Sequence, residues 1–460
     1  MLQLTSRIII ITNKDTRTPG QSPILSYDFA IPNSSGPKEP NLIEFKQKLD
    51  AGEDISFHFD FVNDIEINSS FKNLTKTAKI TLPRNLRYDN LTLINDVISD
   101  DTTSLPMFSI GDRIIIQCGY IVGGTSKNSL KEVFRGYITN INIGVPTIIE
   151  CQDKMFLLKR MLVKYPDTQD LENGSYTNTK SKISLNDLLK RIFVTNRKLP
   201  QGANNIFKIN GTPKPETVLL PMENNTRNFS DMEIPIITPI TISDTSFTYT
   251  TDRVKTVAEV LVDIKNKTGI ISYFDDFGNL HFELPYMNSL EVKNSITRQI
   301  PIDFEKQIIE TNNLKYQKDY ETAIKVIYSS KQTSTVKKTK GTVLIGTDDG
   351  NPNKGFIGDP DGDIITVNAP DDISQEECNR LGKYKYFGEK YTGYVKGSTF
   401  TTFGEPSIYM GRGVNIKSTK YPERNGAYFV NGVKRTFGVN GFRQTVELGV
   451  NLDTYTYKGD

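Results

Sequence analysis

The chain has 460 residues, 37% of them hydrophobic, and 56 Lys and Arg nearly balance 54 Asp and Glu for a net charge of +2. That balance argues against a protein whose main work is gripping nucleic-acid phosphates, and no apolar run reaches the ~20 residues that a membrane helix needs. Cys118, Cys151 and Cys378 form no C-x-x-C pair, so no disulfide framework is expected and a reducing cytoplasm suits the chain.

At roughly 150 residues per domain, the length predicts about three domains. Ile8 to Ile11 read as a short buried strand, and 16–40, rich in Pro, Ser, Gly and Asn, as an arm or surface loop. Alternation returns over 55–83, with Phe57, Phe59 and Phe61 on one face, then Ile65 and Ile67, then Ala78, Ile80 and Leu82, a half-buried meander that Pro83 stops. A loop at 85–107 leads to strand-rich sequence at 108–153, and 152–162 reads as a short helix or turn. Leu185, Leu188, Leu189 and Ile192 share one helical face, and 196–246 is polar and proline-dotted, with weak strands.

Thr256 to Glu259 fits a capping box, Val257, Val260, Leu261 and Ile264 make an apolar stripe, and Gly269 fits the helix stop. A hairpin around Phe277-Gly278-Asn279 follows, so 256–286 reads as a small α+β piece. Strands return from Asn313, 335–363 reads as a polar loop, and Ser374 to Glu377 fit the cap of a helix running to about Tyr391. The last stretch, 393–450, alternates apolar and polar residues in short runs. Asn425-Gly426, Asn431-Gly432 and Asn440-Gly441 suit hairpin turns there.

Two stretches share an order of parts. Gly111 to Ile116 answers Gly411 to Ile416, Gly136 to Asn140 answers Gly426 to Asn431, and Thr147 to Glu150 answers Thr445 to Glu447. A duplicated domain points to a pseudo-symmetric assembly rather than to an enzyme.

No catalytic set assembles. His58 and His281 alternate with aromatic or aliphatic residues in strands, and no phosphate loop, Gly-x-Ser-x-Gly or His-Glu-x-x-His motif is present. Asp275-Asp276 and Asp348-Asp349 sit in turn sequences, where Asp bonds local backbone. Asp359, Asp361 and Asp363 alternate as calcium ligands do, but Gly362 falls early and Pro360 intrudes, so a solvated loop is the better reading. Lys337 to Lys340 read as a charged strand edge. Tyr421-Pro422-Glu423-Arg424 with Gly426 is the most distinctive short motif, a rigid turn or a subunit contact. These five residues and Gly404 are the structural or interface candidates; no catalytic, metal or cofactor residue is assigned.

Taken in order, FSIGDRIIIQCGY, FRGYITNI, PTIIECQDKMFLLKR, TVAEVLVDIKNKTGIISYF, GSTFTTFGEPSIYMG and KYPERNGAYFVNGVKRTFGVNGFRQTVELG resemble the baseplate hub proteins of bacteriophage tails. That family includes the hub portion of type VI secretion spikes. The resemblance implies a mainly β chain with α+β insertions, carrying two barrels similar to the tail-tube subunit. It implies a division into a first barrel with its arm (1–165), an inserted α+β domain (166–310) and a second barrel (311–460). It implies a homotrimer whose six barrels match a sixfold tail tube above and a threefold spike below, around a channel that DNA crosses only as cargo. Partners would be the tube protein, a spike or tail-tip protein and other baseplate proteins, in a tail assembled in the host cytoplasm. No cofactor is implied, and a fused needle or lysozyme-like domain is not expected. The 196–246 loop has no counterpart in the family pattern. Two other classes remain as alternatives. One is a tail-tip enzyme degrading cell wall through acids such as Glu223, Asp231 or Glu233. The other is a carbohydrate-binding tail module, which the absence of Trp disfavours.

Overall fold

The computed structural model describes residues 2–12, 25–29, 55–59, 62–82, 87–88, 91–92, 110–122, 130–142, 145–160, 162–163, 182–184, 217–219, 233–237, 246–248, 255–276, 278, 280–283, 285–286, 289–295, 298–311, 313–318, 324–332, 341–344, 356–358, 361–368, 382, 385–386, 388–389 and 392–454. The expectations for Phe61, Glu223, Asp231, Lys337 to Lys340, Asp348-Asp349, Asp359, the Ser374 cap, Cys378 and the helical face of Leu185, Leu188, Leu189 and Ile192 lie outside them.

Fourteen strands share one sheet. The first part of the chain supplies β1 (Leu2–Thr12), β2 (Leu25–Phe29), β3 (Ile55–Phe59), β4 (Asp64–Ser70), β5 (Thr77–Leu82), β6 (Arg113–Val122), β7 (Lys131–Asn142) and β8 (Thr147–Gln152). The last part supplies β11 (Gln299–Asp303), β12 (Ile308–Glu310), β13 (Thr399–Phe403), β14 (Gly413–Lys417), β15 (Gly426–Gly438) and β16 (Gly441–Asn451). Along the sheet the order is β2-β3-β1-β6-β7-β8-β5-β4-β15-β16-β13-β12; β14, followed by β11, pairs with the first part of β15 on the edge whose far part takes β4.

Between these parts lie α1 (Met155–Leu158), α2 (Val257–Thr268), β9 (Ile271–Phe274), β10 (Leu280–Glu283) and α3 (Ser289–Asn294), and α4 (Phe304–Gln307) joins β11 to β12. The capping box of α2 is complete: Glu259 N donates to Thr256 Oγ1 (3.2 Å), and Thr256 N donates to the Glu259 carboxylate (2.7 Å). Gly269 ends α2 in the left-handed conformation at φ 76°. The β9–β10 hairpin forms as its alternation predicts.

The two sheet parts are built alike. Six strands in each run in the same chain order and pair in the same order: β3 to β8 in the first, β11 to β16 in the second. β3 pairs through β1, antiparallel to both β3 and β6, and so runs parallel to β6; β11 is parallel to its direct neighbour β14. The extra strand β1 is thus the main insertion in the first unit. In each unit the two outer strands are consecutive in the chain, β3 followed by β4 and β11 followed, through α4, by β12.

The match extends to single hydrogen bonds. Gly111 N donates to Ile138 O (2.7 Å) and Ile138 N to Asp112 O (2.9 Å); Gly411 N donates to Val430 O (3.0 Å) and Val430 N to Arg412 O (2.9 Å). Both glycines have positive φ, 96° and 79°. Each central strand bulges at the next residue, Thr139 in β7 and Asn431 in β15, so that Glu150 faces Asn140 and Glu447 faces Gly432. Ile138 therefore corresponds to Val430, and the middle segment pairs two residues away from the Gly136–Gly426 alignment suggested by sequence. The glycines there are misleading markers, because Gly136 lies inside β7 while Gly426 opens β15.

Several sequence expectations are corrected. The two barrels are not confirmed: among the described residues the strand pairing of neither unit closes into a barrel. Strands at 299–310, assigned by sequence to the middle domain, pair with β14 and β13 in the second unit. Of the three Asn-Gly pairs only Asn440-Gly441 lies at a hairpin loop; Asn431-Gly432 forms the bulge of β15, and Asn425-Gly426 ends a 3₁₀ turn. The arm contains β2, parallel to β3, and the 335–363 loop contains strands at 341–344 and 356–358 that pair with 324–332. Short apolar pairs such as Val343-Leu344 and Phe356-Ile357 suffice for a strand once a partner edge is present, which local polarity does not reveal.

One core fills each unit. Ile10, Phe57, Ile80, Ile114, Ile116, Ile138 and Ile149 pack in the first, and Phe400, Ile408, Val414, Val430, Val446 and Leu448 in the second. Phe437 and Phe442 of the second unit pack into the first core. A third cluster joins Phe71, Tyr273, Tyr286 and Val292 to Phe429 and Val450, seating the α2–β9–β10–α3 piece against the second unit.

Candidate assembly interface

The units meet where β4 pairs antiparallel with the far half of β15, Asp64 facing Gly438 and Ser70 facing Gly432. The approach is close: a Cβ on Gly432 would stand 2.9 Å from Ser69 O. A side chain there would push the two backbones apart, so glycine suits the joint.

Beside the joint lies a set of buried charges that no sequence spacing announces. Lys76 Nζ pairs with the Asp276 carboxylate and donates to Val133 O (3.1 Å), while Arg435 Nη2 stands 3.7 Å from Asp276 and donates to Ile408 O (2.6 Å). Lys76 belongs to the first unit, Arg435 to the second and Asp276 to the β9–β10 turn. Burial pushes the Asp276 carboxyl up, but Lys76 and Arg435 outweigh it and hold the group below its ordinary value. Asp275 pairs with His281 Nε2 (3.0 Å), whose ring stacks on Tyr273 at 4.9 Å. Asp276 thus binds side chains far along the chain, and Asp275 binds one across its own hairpin, contacts that the turn sequence does not announce.

Asp153, 4% exposed, accepts from Lys76 N (2.9 Å) and Met155 N (3.0 Å), yet burial raises its pKa to about 7. Cys118 and Cys151 are buried in strands, and burial raises both thiol pKa values, that of Cys118 to about 12. Thiols held protonated in this way are poor nucleophiles. His58 Nε2 lies 3.2 Å from Ser56 Oγ.

The sequence-derived interface candidates divide into two groups. Gly404 is packing: a Cβ there would come within 2.1 Å of the Phe442 ring, and Gly404 N donates to Phe442 O (2.9 Å). Gly426 opens β15 opposite Ile416. Pro422 to Arg424 form a 3₁₀ turn between β14 and β15. Tyr421 is 45% exposed, and Arg424 lies 4.8 Å from its ring and 5.6 Å from that of Tyr316. Tyr316 Oη donates to Glu423 O (2.8 Å). The motif is thus a rigid turn locked to the strand segment Tyr316–Gln317, which pairs with Gly393–Tyr394. Glu305 of α4 braces the same loop, accepting from Ser418 Oγ (2.6 Å), Lys420 N (3.1 Å) and Thr419 N (3.3 Å).

No protein-family model matches the sequence, and no curated protein matches it. The solved structures that align with it include tail proteins and PdpA–VgrG complexes. The 43 kDa tail protein of prophage MuSo2 from Shewanella oneidensis aligns at 11% identity and a TM-score of 0.46, over 87% of this chain and 97% of that one. A tail protein from Neisseria meningitidis MC58 aligns at 13% identity and a TM-score of 0.44, over 85% and 92%. The Francisella PdpA–VgrG complex aligns at 10% identity and a TM-score of 0.43, over 99% of this chain and 54% of that one.

Proposed function

We propose that the chain is a structural hub of a phage-type tail or related injection machine. The carrying observation is the doubled six-stranded unit, with one copy joined to the other edge to edge. A chain that carries one unit twice presents two quasi-equivalent positions, so three chains present six. Such a trimer would seat a sixfold tail tube on one face and a threefold spike or tail tip on the other, around a channel that passes DNA as cargo. In this reading each unit plays the part of a tube-like barrel, with 1–165 and 311–460 as the two end domains, 299–310 belonging structurally with the second, and the α+β piece as an accessory. The chain acts by assembly rather than catalysis, within a tail put together in the host cytoplasm. Light scattering of the purified chain across a concentration series tests this: a trimer, or a monomer moving toward trimer, is expected. A monomer at every concentration, with no ring in electron micrographs, would count against it and bring cell-wall lysis and glycan-binding assays forward.

A further inference from the structure

The ion pair between Lys76 and Asp276 also holds a nucleophile against a carboxyl carbon in a site nearly closed to water. Their side chains are 6% and 14% exposed, and the Phe134 ring lies 5.7 Å from Lys76 Nζ. Lys76 leads into β5 of the first unit, and Asp276 lies 200 residues further on, in the β9–β10 turn. Burying two charges is costly even when they pair. A proton passed from the ammonium to the carboxylate removes both charges and leaves an amine beside a carboxylic acid, the two reactants of an amide.

We propose that Lys76 and Asp276 condense to an isopeptide bond that ties the first unit covalently to the β9–β10 turn. Lys76 Nζ attacks Asp276 Cγ. The C–N bond forms, one carboxyl C–O bond breaks, and the hydroxyl leaves as water with a proton from the nitrogen. The ion pair and the amide differ by that water alone, so no co-reactant is consumed. Fixed proximity of the two groups replaces the encounter that makes the reaction slow in solution.

The surroundings suit both the step and its product. Arg435 Nη2, 3.7 Å from the Asp276 carboxylate, places positive charge where the oxyanion of the tetrahedral intermediate develops. Asp153, which accepts from Lys76 N (2.9 Å), is a second buried carboxyl beside the lysine, and its pKa of about 7 lets it hold or release a proton near neutrality. Lys76 Nζ already donates to Val133 O (3.1 Å), an acceptor for the single N–H that the amide keeps. Arg435 remains as a donor for the new carbonyl oxygen, and its buried Nε has no hydrogen-bond partner among the described residues. The inference stands apart from the hub reading and needs only the folded chain.

The test is intact-mass spectrometry of the purified full chain, followed by tryptic mapping. The expected result is a wild-type mass one water below that of the sequence, with a branched peptide joining the segments around Lys76 and Asp276. Lys76→Arg should return to its full sequence mass. Wild type at its full sequence mass, both fresh and after long incubation at neutral pH, would overturn the proposal. So would a water loss confined to an unbranched peptide, such as one cyclised at Asp361-Gly362, or one that persists in Lys76→Arg.

Discussion

Asp153 shows what burial does to a single carboxyl. Two backbone amides favour its charged form, but loss of solvent dominates and its folded pKa of about 7 exceeds the ~3.9 of an unfolded Asp. The folded state then holds a proton that the unfolded state has released, so this group's stabilising contribution is full below pH ~4 and is lost as pH rises to about 7. Asp153→Asn removes that dependence. Urea midpoints taken from pH 4 to pH 8 should show the wild type losing ground steadily against the variant, with no further change above neutrality. A constant difference would mean that Asp153 is ionised throughout in the folded protein. Asp153 was invisible as a special residue in sequence: it follows a strand as many aspartates do, and only Lys76, from the β4–β5 turn, completes its surroundings.

At the scale of elements, local chemistry was the better guide. Thr256, Glu259 and Gly269 mark both ends of α2, because capping needs only residues within one turn of each other. Thr256→Ala should cost about 1 kcal/mol, read as a lower urea midpoint with an unchanged slope. A loss near zero would mean that packing of Val257, Leu261 and Ile264 alone holds the helix. The Asn-Gly pairs teach the opposite lesson. The same dipeptide serves a hairpin loop at 440–441, a bulge at 431–432 and a strand start at 425–426, since the demand on each depends on which strand lies opposite.

For the molecule as a whole, Asp276 is the charge shared by three parts of the chain. Removing it leaves Lys76 and Arg435 buried without their common partner, a change that typically costs ~3–5 kcal/mol. Asp276→Ala should therefore lower the unfolding midpoint sharply, and hydrogen exchange should rise around β4, β15 and the β9–β10 hairpin together. Loosening of the hairpin alone would show that the two units hold each other through β4–β15 and the shared Phe437–Phe442 packing without the charge.

The sequence by itself determined the mainly β character, the α+β piece, the repeated order of strands in the two end segments and the turn at Tyr421–Arg424. Each of these follows from periodicity or from neighbours a few residues apart. Tertiary structure alone decided that β4 of the first unit pairs with β15 of the second, that 299–310 joins the last unit, and that Lys76, Asp276 and Arg435 meet. It also decided that Gly404 is a packing residue under Phe442. These contacts join residues far apart in the chain, and their partners are chosen by strand register and shared burial, which no local pattern encodes.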